Sequence, residues 1–155
     1  MKRRHADTPG GTGTLASRSL LPPGRHVQHV AAGGAVGALA RVGLAELFPV
    51  RPGAFPWTTF AENISGAFAL ALVLTLLMER TAAPPEVRLA VCTGALGAFT
   101  TYSTLAGEIV TRVADGRVLL GIGYGLASVT VGLLAAVAGV GVARRWPRRS
   151  TGGGR

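Results

Sequence analysis

Four apolar stretches, at about 27–48, 57–79, 87–111 and 118–143, occupy most of the 155 residues from Val27 onward. Each is near the ~20 residues that a helix needs to cross a hydrocarbon core. Inside lipid an unpaired backbone amide or carbonyl is so costly that a spanning segment must be a helix or part of a closed barrel, and stretches of this length predict helices. The fourth is the clearest, since nothing between Val118 and Ala143 is charged and Arg117 and Arg144 bracket it. The connections are short and marked by breakers: Pro49, Pro52, Gly53 and Pro56, then Pro84-Pro85, then Asp115-Gly116.

Composition agrees with this reading. Charged residues make up 15% of the chain, against roughly 25% in soluble domains, and the 23 glycines suit helices that pack through small residues. The net charge of +9 is not a nucleic-acid signal, because the basic residues flank the apolar stretches and do not form a patch with interleaved aromatics. A single cysteine, Cys92, and three histidines offer neither a disulfide nor a zinc spacing, and no nucleophile and base pair up, so no enzyme is expected. Residues 1–26, rich in Pro, Gly, Ser, Thr and Arg, form a basic tail expected to be disordered, and 144–155 form a second basic tail. Arg3-Arg4 is not followed by an apolar run, so no signal peptide is read there.

Four spans place both termini and the 80–88 connection on one side. That side holds Lys2, Arg3, Arg4, Arg18, Arg25, Arg80, Arg88, Arg144, Arg145, Arg148, Arg149 and Arg155, and the other holds Arg51, Arg112 and Arg117. Twelve against three, with Arg41 inside the first span, predicts cytoplasmic termini in a multi-pass cell-membrane protein.

Polar groups at membrane depth are expensive and mark function or a partner. They are Arg41 and Glu46 in the first span, Glu62, Asn63 and Ser65 in the second, residues 93–104 and Glu108 in the third, and Ser128 and Thr130 in the fourth. Arg41 and Glu46 have a second reading as groups that reach the interface, and Ser128 and Thr130 as hydroxyls bonded back to their own helix. Gly94-Ala-Leu-Gly97-Ala-Phe-Thr100-Thr101-Tyr102-Ser103-Thr104 puts two glycines and four hydroxyls in mid-span, which predicts a broken helix; an unbroken helix with back-bonded hydroxyls is the other reading. Hydroxyls, an Asn amide and aromatic ring edges are donors that an anion can use without being trapped by a full positive charge.

These residues resemble the small fluoride channels of the Fluc/CrcB family, over roughly residues 30–143. Gly33-Gly34-Ala-Val-Gly37-Ala-Leu-Ala-Arg41 resembles the family's GGxxGAxxR, Asn63-Ile-Ser-Gly66-Ala-Phe68 its NxxGxF, and Thr93-Gly94 through Glu108 its TGxxGGxTTFSTFxxE. The resemblance implies an all-α antiparallel dimer that passes fluoride passively out of the cytoplasm, with lipid and fluoride as its partners. It implies a structural, untransported sodium ion at the dimer centre, held by the carbonyls of Gly97 and Thr100. It maps Asn63, Tyr102, Ser103, Thr104 and Leu105 onto the pore, and Gly33, Gly34, Gly37, Arg41, Gly66, Gly94 and Glu108 onto structural positions. Leu105 stands where the family has a phenylalanine, and Glu62 is unusual beside the pore asparagine, although it lies about 100° around the helix from it. The strong Lys/Arg bias suggests a heterodimer with an opposite-orientation paralogue as the alternative to a homodimer. Two rivals stand beside a conducting channel: a non-conducting or partner subunit, and a four-span drug exporter, which would need a carboxylate deep in the first span where this chain has only Glu46.

Overall fold

The computed structural model describes residues 24–79, 81 and 83–146. The expectations for the two tails beyond these bounds, and the placement of Arg80, lie outside the described residues. Among the described residues the fold is all helical, with four helical runs long and apolar enough to cross a membrane. Helix α1 is Gly24–Leu47 and α2 is Trp57–Glu79. The third run is composite: Pro85–Arg88, a π-helical stretch Leu89–Leu96 and Gly97–Phe99 together form α3, and after Thr100 and Thr101 the chain resumes as α4, Tyr102–Ala114. Helix α5, Val118–Arg145, is the last span.

Each boundary has a local cause. Pro85 sits in the first turn of α3, where a missing N–H costs nothing, and its predecessor Pro84 is extended at ψ 145°. Gly53 and Gly116 adopt φ of +73° and +77°, left-handed values that glycine reaches without strain, and they turn the chain between α1 and α2 and between α4 and α5. Those two corners are tied together. Arg117 donates to the Gly53 carbonyl at 2.5 Å, and Arg112 donates to the Ala54 carbonyl through Nε at 3.1 Å and Nη2 at 2.6 Å. Phe55 fills the gap beneath, its ring 5.2 Å from that of Tyr124 in an edge-to-face contact.

Helix α2 packs along α5, α4 packs on α5, and α1 packs against the π-helical part of α3. This last contact is backbone on backbone. A Cβ on Gly33 would overlap the Ala90 carbonyl, one on Gly37 would overlap the Ala95 carbonyl, and one on Gly94 would stand 2.6 Å from the Val30 carbonyl. The first-span glycine motif is therefore a packing device, apart from Gly34, whose Cβ would meet nothing closer than 4.0 Å. Gly139 does the same service for α5, where a Cβ would lie 2.5 Å from the Phe68 carbonyl of α2.

The third run breaks, which excludes the unbroken alternative. Thr100 has φ −78° and ψ 151°, and Thr101 has φ −143° and ψ 117°, both extended. Gly97 stays helical at φ −66° and ψ −34°, so the threonines, and not the glycines, carry the interruption.

Candidate ion path at the helix break

Breaking a helix releases the carbonyls that end one segment and the amides that begin the next. Here Asn63, on the neighbouring α2, takes up part of the loss: Thr101 N–H donates to Asn63 Oδ1 at 2.8 Å, and Asn63 Nδ2 donates to the Thr101 carbonyl at 3.1 Å. One side chain thereby holds both polar groups of the extended residue. In an unbroken helix Thr101 N–H would have bonded the Gly97 carbonyl, so the asparagine's gain leaves that carbonyl without its helical donor. The next carbonyl, of Ala98, accepts from Arg41 Nε at 3.1 Å. Arg41 thus ties α1 to the end of α3, which accounts for a charge at this depth without bringing it to the interface. Gly66 lets α2 lie close, since a Cβ there would run into the Thr100 methyl.

On the other side of the break Thr101 caps α4. Its Oγ1 accepts from Thr104 N–H at 3.2 Å and its hydroxyl donates to Thr104 Oγ1 at 2.9 Å, with Ser103 Oγ 3.3 Å away. Because Thr104 accepts that proton, its own O–H is left to donate elsewhere. Thr100 behaves differently, donating to the Leu96 carbonyl at 3.1 Å inside α3.

Beside the break lies an open cavity of about 340 Å³, lined among others by Asn63, Thr100, Thr101, Tyr102, Leu105 and Ser128. Tyr102 stands out from the chain at 82% exposure, while Leu105 is buried at 8% and forms the inner wall. Ser128 is buried, and its Oγ makes no close hydrogen bond to a carbonyl of its own helix, lying instead near the Tyr124 hydroxyl. The cavity gathers Asn63, Tyr102, Leu105 and Thr100, while Ser103 and Thr104 are exposed on the first turn of α4 and Thr104 lines a second groove with Glu108, Arg112 and Arg51. Gly97 is exposed at the end of α3, where a Cβ would find its nearest neighbour at 3.7 Å.

Glu62 does not share this cavity. It faces a different one between α1 and α2, with Leu44, Phe48 and Trp57, as the 100° rotation from Asn63 allows. Glu108, mapped in the sequence as structural, is the centre of a buried polar cluster. Its Oε1 accepts from Thr59 at 2.9 Å, its Oε2 from Tyr124 at 2.7 Å, and its main-chain carbonyl from Arg112 Nη1 at 2.9 Å. Arg112 also lies over the Tyr124 ring, 5.8 Å from its centroid. Thr59 and Tyr124 escaped the sequence reading, and Arg112 entered it only as one of the basic residues outside the spans. The available signal was the four-residue spacing of Glu108 and Arg112 on one helical face; nothing pointed to Thr59 or Tyr124, which come from other helices.

A break of this kind sets two opposite electrostatic ends side by side. The end of α3 presents carbonyls, which suit a cation, and the start of α4 presents amides at the positive end of a helix dipole, which suit an anion.

Residues 28–140 match the family model described as CrcB-like protein, Camphor Resistance (CrcB). Over 121 residues the chain is 36% identical to a protein of Rhizobium meliloti (strain 1021) named Fluoride-specific ion channel FluC, an alignment that covers 77% of this chain and 96% of the relative. It is 40% identical over 111 residues to Fluoride-specific ion channel FluC 1 of Mycobacterium tuberculosis (strain CDC 1551 / Oshkosh), covering 72% of this chain and 84% of that one. It is 46% identical over 109 residues to Fluoride-specific ion channel FluC 1 of Cutibacterium acnes (strain DSM 16379 / KPA171202), covering 67% and 75%.

Proposed function

The chain belongs to the CrcB family, and from that premise we propose that it is a fluoride-selective channel that lets cytoplasmic fluoride leave the cell passively. The observation that carries the reading is the Asn63 clamp on Thr101, because it opens the start of α4 toward a cavity whose polar groups are neutral. Asn63 keeps a second amide hydrogen after bonding the Thr101 carbonyl, the Ser128 hydroxyl lines the same cavity, and the Thr104 hydroxyl faces the second groove. Fluoride, small and strongly hydrated, loses its water at such a point only where closely spaced donors replace it. Tyr102 contributes a positive ring edge. Leu105 contributes only an apolar wall, so aromatic contact at that station falls to Tyr102 or to a second subunit.

A sodium ion at the centre of a dimer fits the residues present. Gly97 has lost its helical donor and Thr100 is extended, so their carbonyls would be the oxygen ligands, two from each subunit, that a hard cation prefers. Such an ion would supply a fixed positive charge near these carbonyls. The dimer is antiparallel in this proposal, with both termini of this chain in the cytoplasm.

The asymmetry of twelve basic residues against three favours one orientation, and therefore a second reading in which the chain works with a paralogue inserted the other way. The test is growth on fluoride of a bacterium that lacks its own fluoride exporter. This chain should restore growth, and Asn63→Asp, which puts a carboxylate where an amide donated, should not. Failure of the unaltered, membrane-inserted chain to protect, alone and with its paralogue, would refute the channel reading.

A further inference from the structure

The cavity between α1 and α2 is separate from the anion path and opposite to it in chemistry. Its volume is about 300 Å³, at the lower end of the range for small-molecule sites, and its walls are Leu44, Phe48, Trp57 and Ala61. Glu62 closes its floor. The residue is 4% exposed, its Oε1 is buried without a hydrogen-bond partner, and among the described residues no Lys, Arg or His reaches ion-pair distance of it. Arg41, the cation near enough to act on it, is bonded to the Ala98 carbonyl instead. A carboxylate left in this condition costs several kcal/mol if ionised, so it either holds a proton or meets a cation.

The two hydroxyls on the wall point to the same class of ligand. Thr58 Oγ1 donates to the Phe48 carbonyl at 2.5 Å and Ser65 Oγ to the Ala61 carbonyl at 2.6 Å, so both have committed their protons and offer only lone pairs. Apart from the Trp57 indole N–H, the polar side chains of the lining, Thr58, Glu62 and Ser65, present acceptors, which repel an anion and suit an ammonium group. Phe48 and Trp57 supply the aromatic faces that attract such a charge and cover the apolar body attached to it. We propose that this cavity binds a primary or secondary ammonium carried on an apolar body, with the nitrogen on the Glu62 carboxylate and the Thr58 and Ser65 oxygens. Glu62 lies about 7.5 Å along the helix from Trp57, the first residue of the second span, where the amine of a phospholipid headgroup or of a free amphiphilic amine could reach it.

Trp57 reports occupancy directly. In a Trp146→Phe background it is the sole tryptophan of the two in the chain, and its emission is followed as 4-phenylbutylammonium is added to protein in phosphatidylcholine vesicles. The expected result is a saturable change that 4-phenylbutanol and 4-phenylbutanoate do not produce, weakened about tenfold or more by Glu62→Gln. Leu44→Trp would confuse the signal, so Leu44→Phe serves as the second variant and should weaken binding by filling the cavity while leaving the carboxylate in place. Replacing part of the phosphatidylcholine with phosphatidylethanolamine separates the sources: a shift of the titration to higher concentration identifies the lipid amine as the occupant, and an unchanged titration identifies the free amine. Equal responses to the ammonium, the alcohol and the carboxylate, or a titration unmoved by both variants, would overturn the proposal. The readout is binding alone, so it stands or falls independently of fluoride conduction.

Discussion

Asn63 earns its place by two hydrogen bonds to one residue, and their loss has a computable direction. Asn63→Ala would strand the Thr101 N–H and carbonyl at membrane depth, at a cost of about 1–3 kcal/mol for each buried group left unpaired. The variant should therefore melt at lower temperature in detergent as well as conduct less. Ser128→Ala should separate the two outcomes. Its Oγ makes no close hydrogen bond and only approaches the Tyr124 hydroxyl, so removing it should leave the melting temperature nearly unchanged, while fluoride efflux falls if that hydroxyl serves the ion. A drop in both would instead give Ser128 a structural role. Asn63 was legible in the sequence as a polar group in lipid with neighbours of the right kind. Its partner was not, because Thr101 lies 38 residues away and only the packing of α2 on the break joins them.

At the scale of elements, the close approach of α1 to α3 rests on two glycines whose replacement meets backbone. Gly33→Ala and Gly37→Ala should each destabilise the protein by about 1–3 kcal/mol, since the carbonyls of Ala90 and Ala95 cannot turn aside as a side chain would. Gly97→Ala, with its nearest neighbour 3.7 Å from the added methyl, should leave thermal stability close to that of the unaltered chain. Thermal unfolding of the three variants in one detergent checks the contrast. Span number and the mid-membrane break were readable, the first from the length of the apolar runs and the second from hydroxyls and glycines in mid-span. Within that stretch the break falls at the threonines because glycine permits a helix to end without requiring it, whereas the Asn63 side chain favours extended backbone at Thr101. The π-helical stretch over Leu89–Leu96 had no sequence signal; such turns arise from packing demands that no residue periodicity announces.

For the whole molecule, two charge patterns act at different ranges. On the proposed topology the basic residues flanking the spans set how the chain inserts, and the antiparallel dimer proposed above would need the opposite orientation from somewhere. A tag at the C-terminus should accordingly be reached from the cytoplasmic side alone in cells; equal labelling from both sides would leave no need for a paralogue. The buried cluster of Glu108, Thr59, Tyr124 and Arg112 acts locally, binding α2, α4, α5 and the 48–56 connection into one body around the second groove. Its components are scattered over three helices, which is why a linear reading saw only Glu108. The central claim, that this chain conducts fluoride, is tested most directly by fluoride efflux from liposomes containing the purified chain, with chloride efflux measured alongside. Rapid loss of fluoride with chloride retained is the predicted result, after addition of the opposite-orientation paralogue if the chain alone is silent. Efflux that does not distinguish fluoride from chloride, or none from folded protein in either preparation, would contradict it.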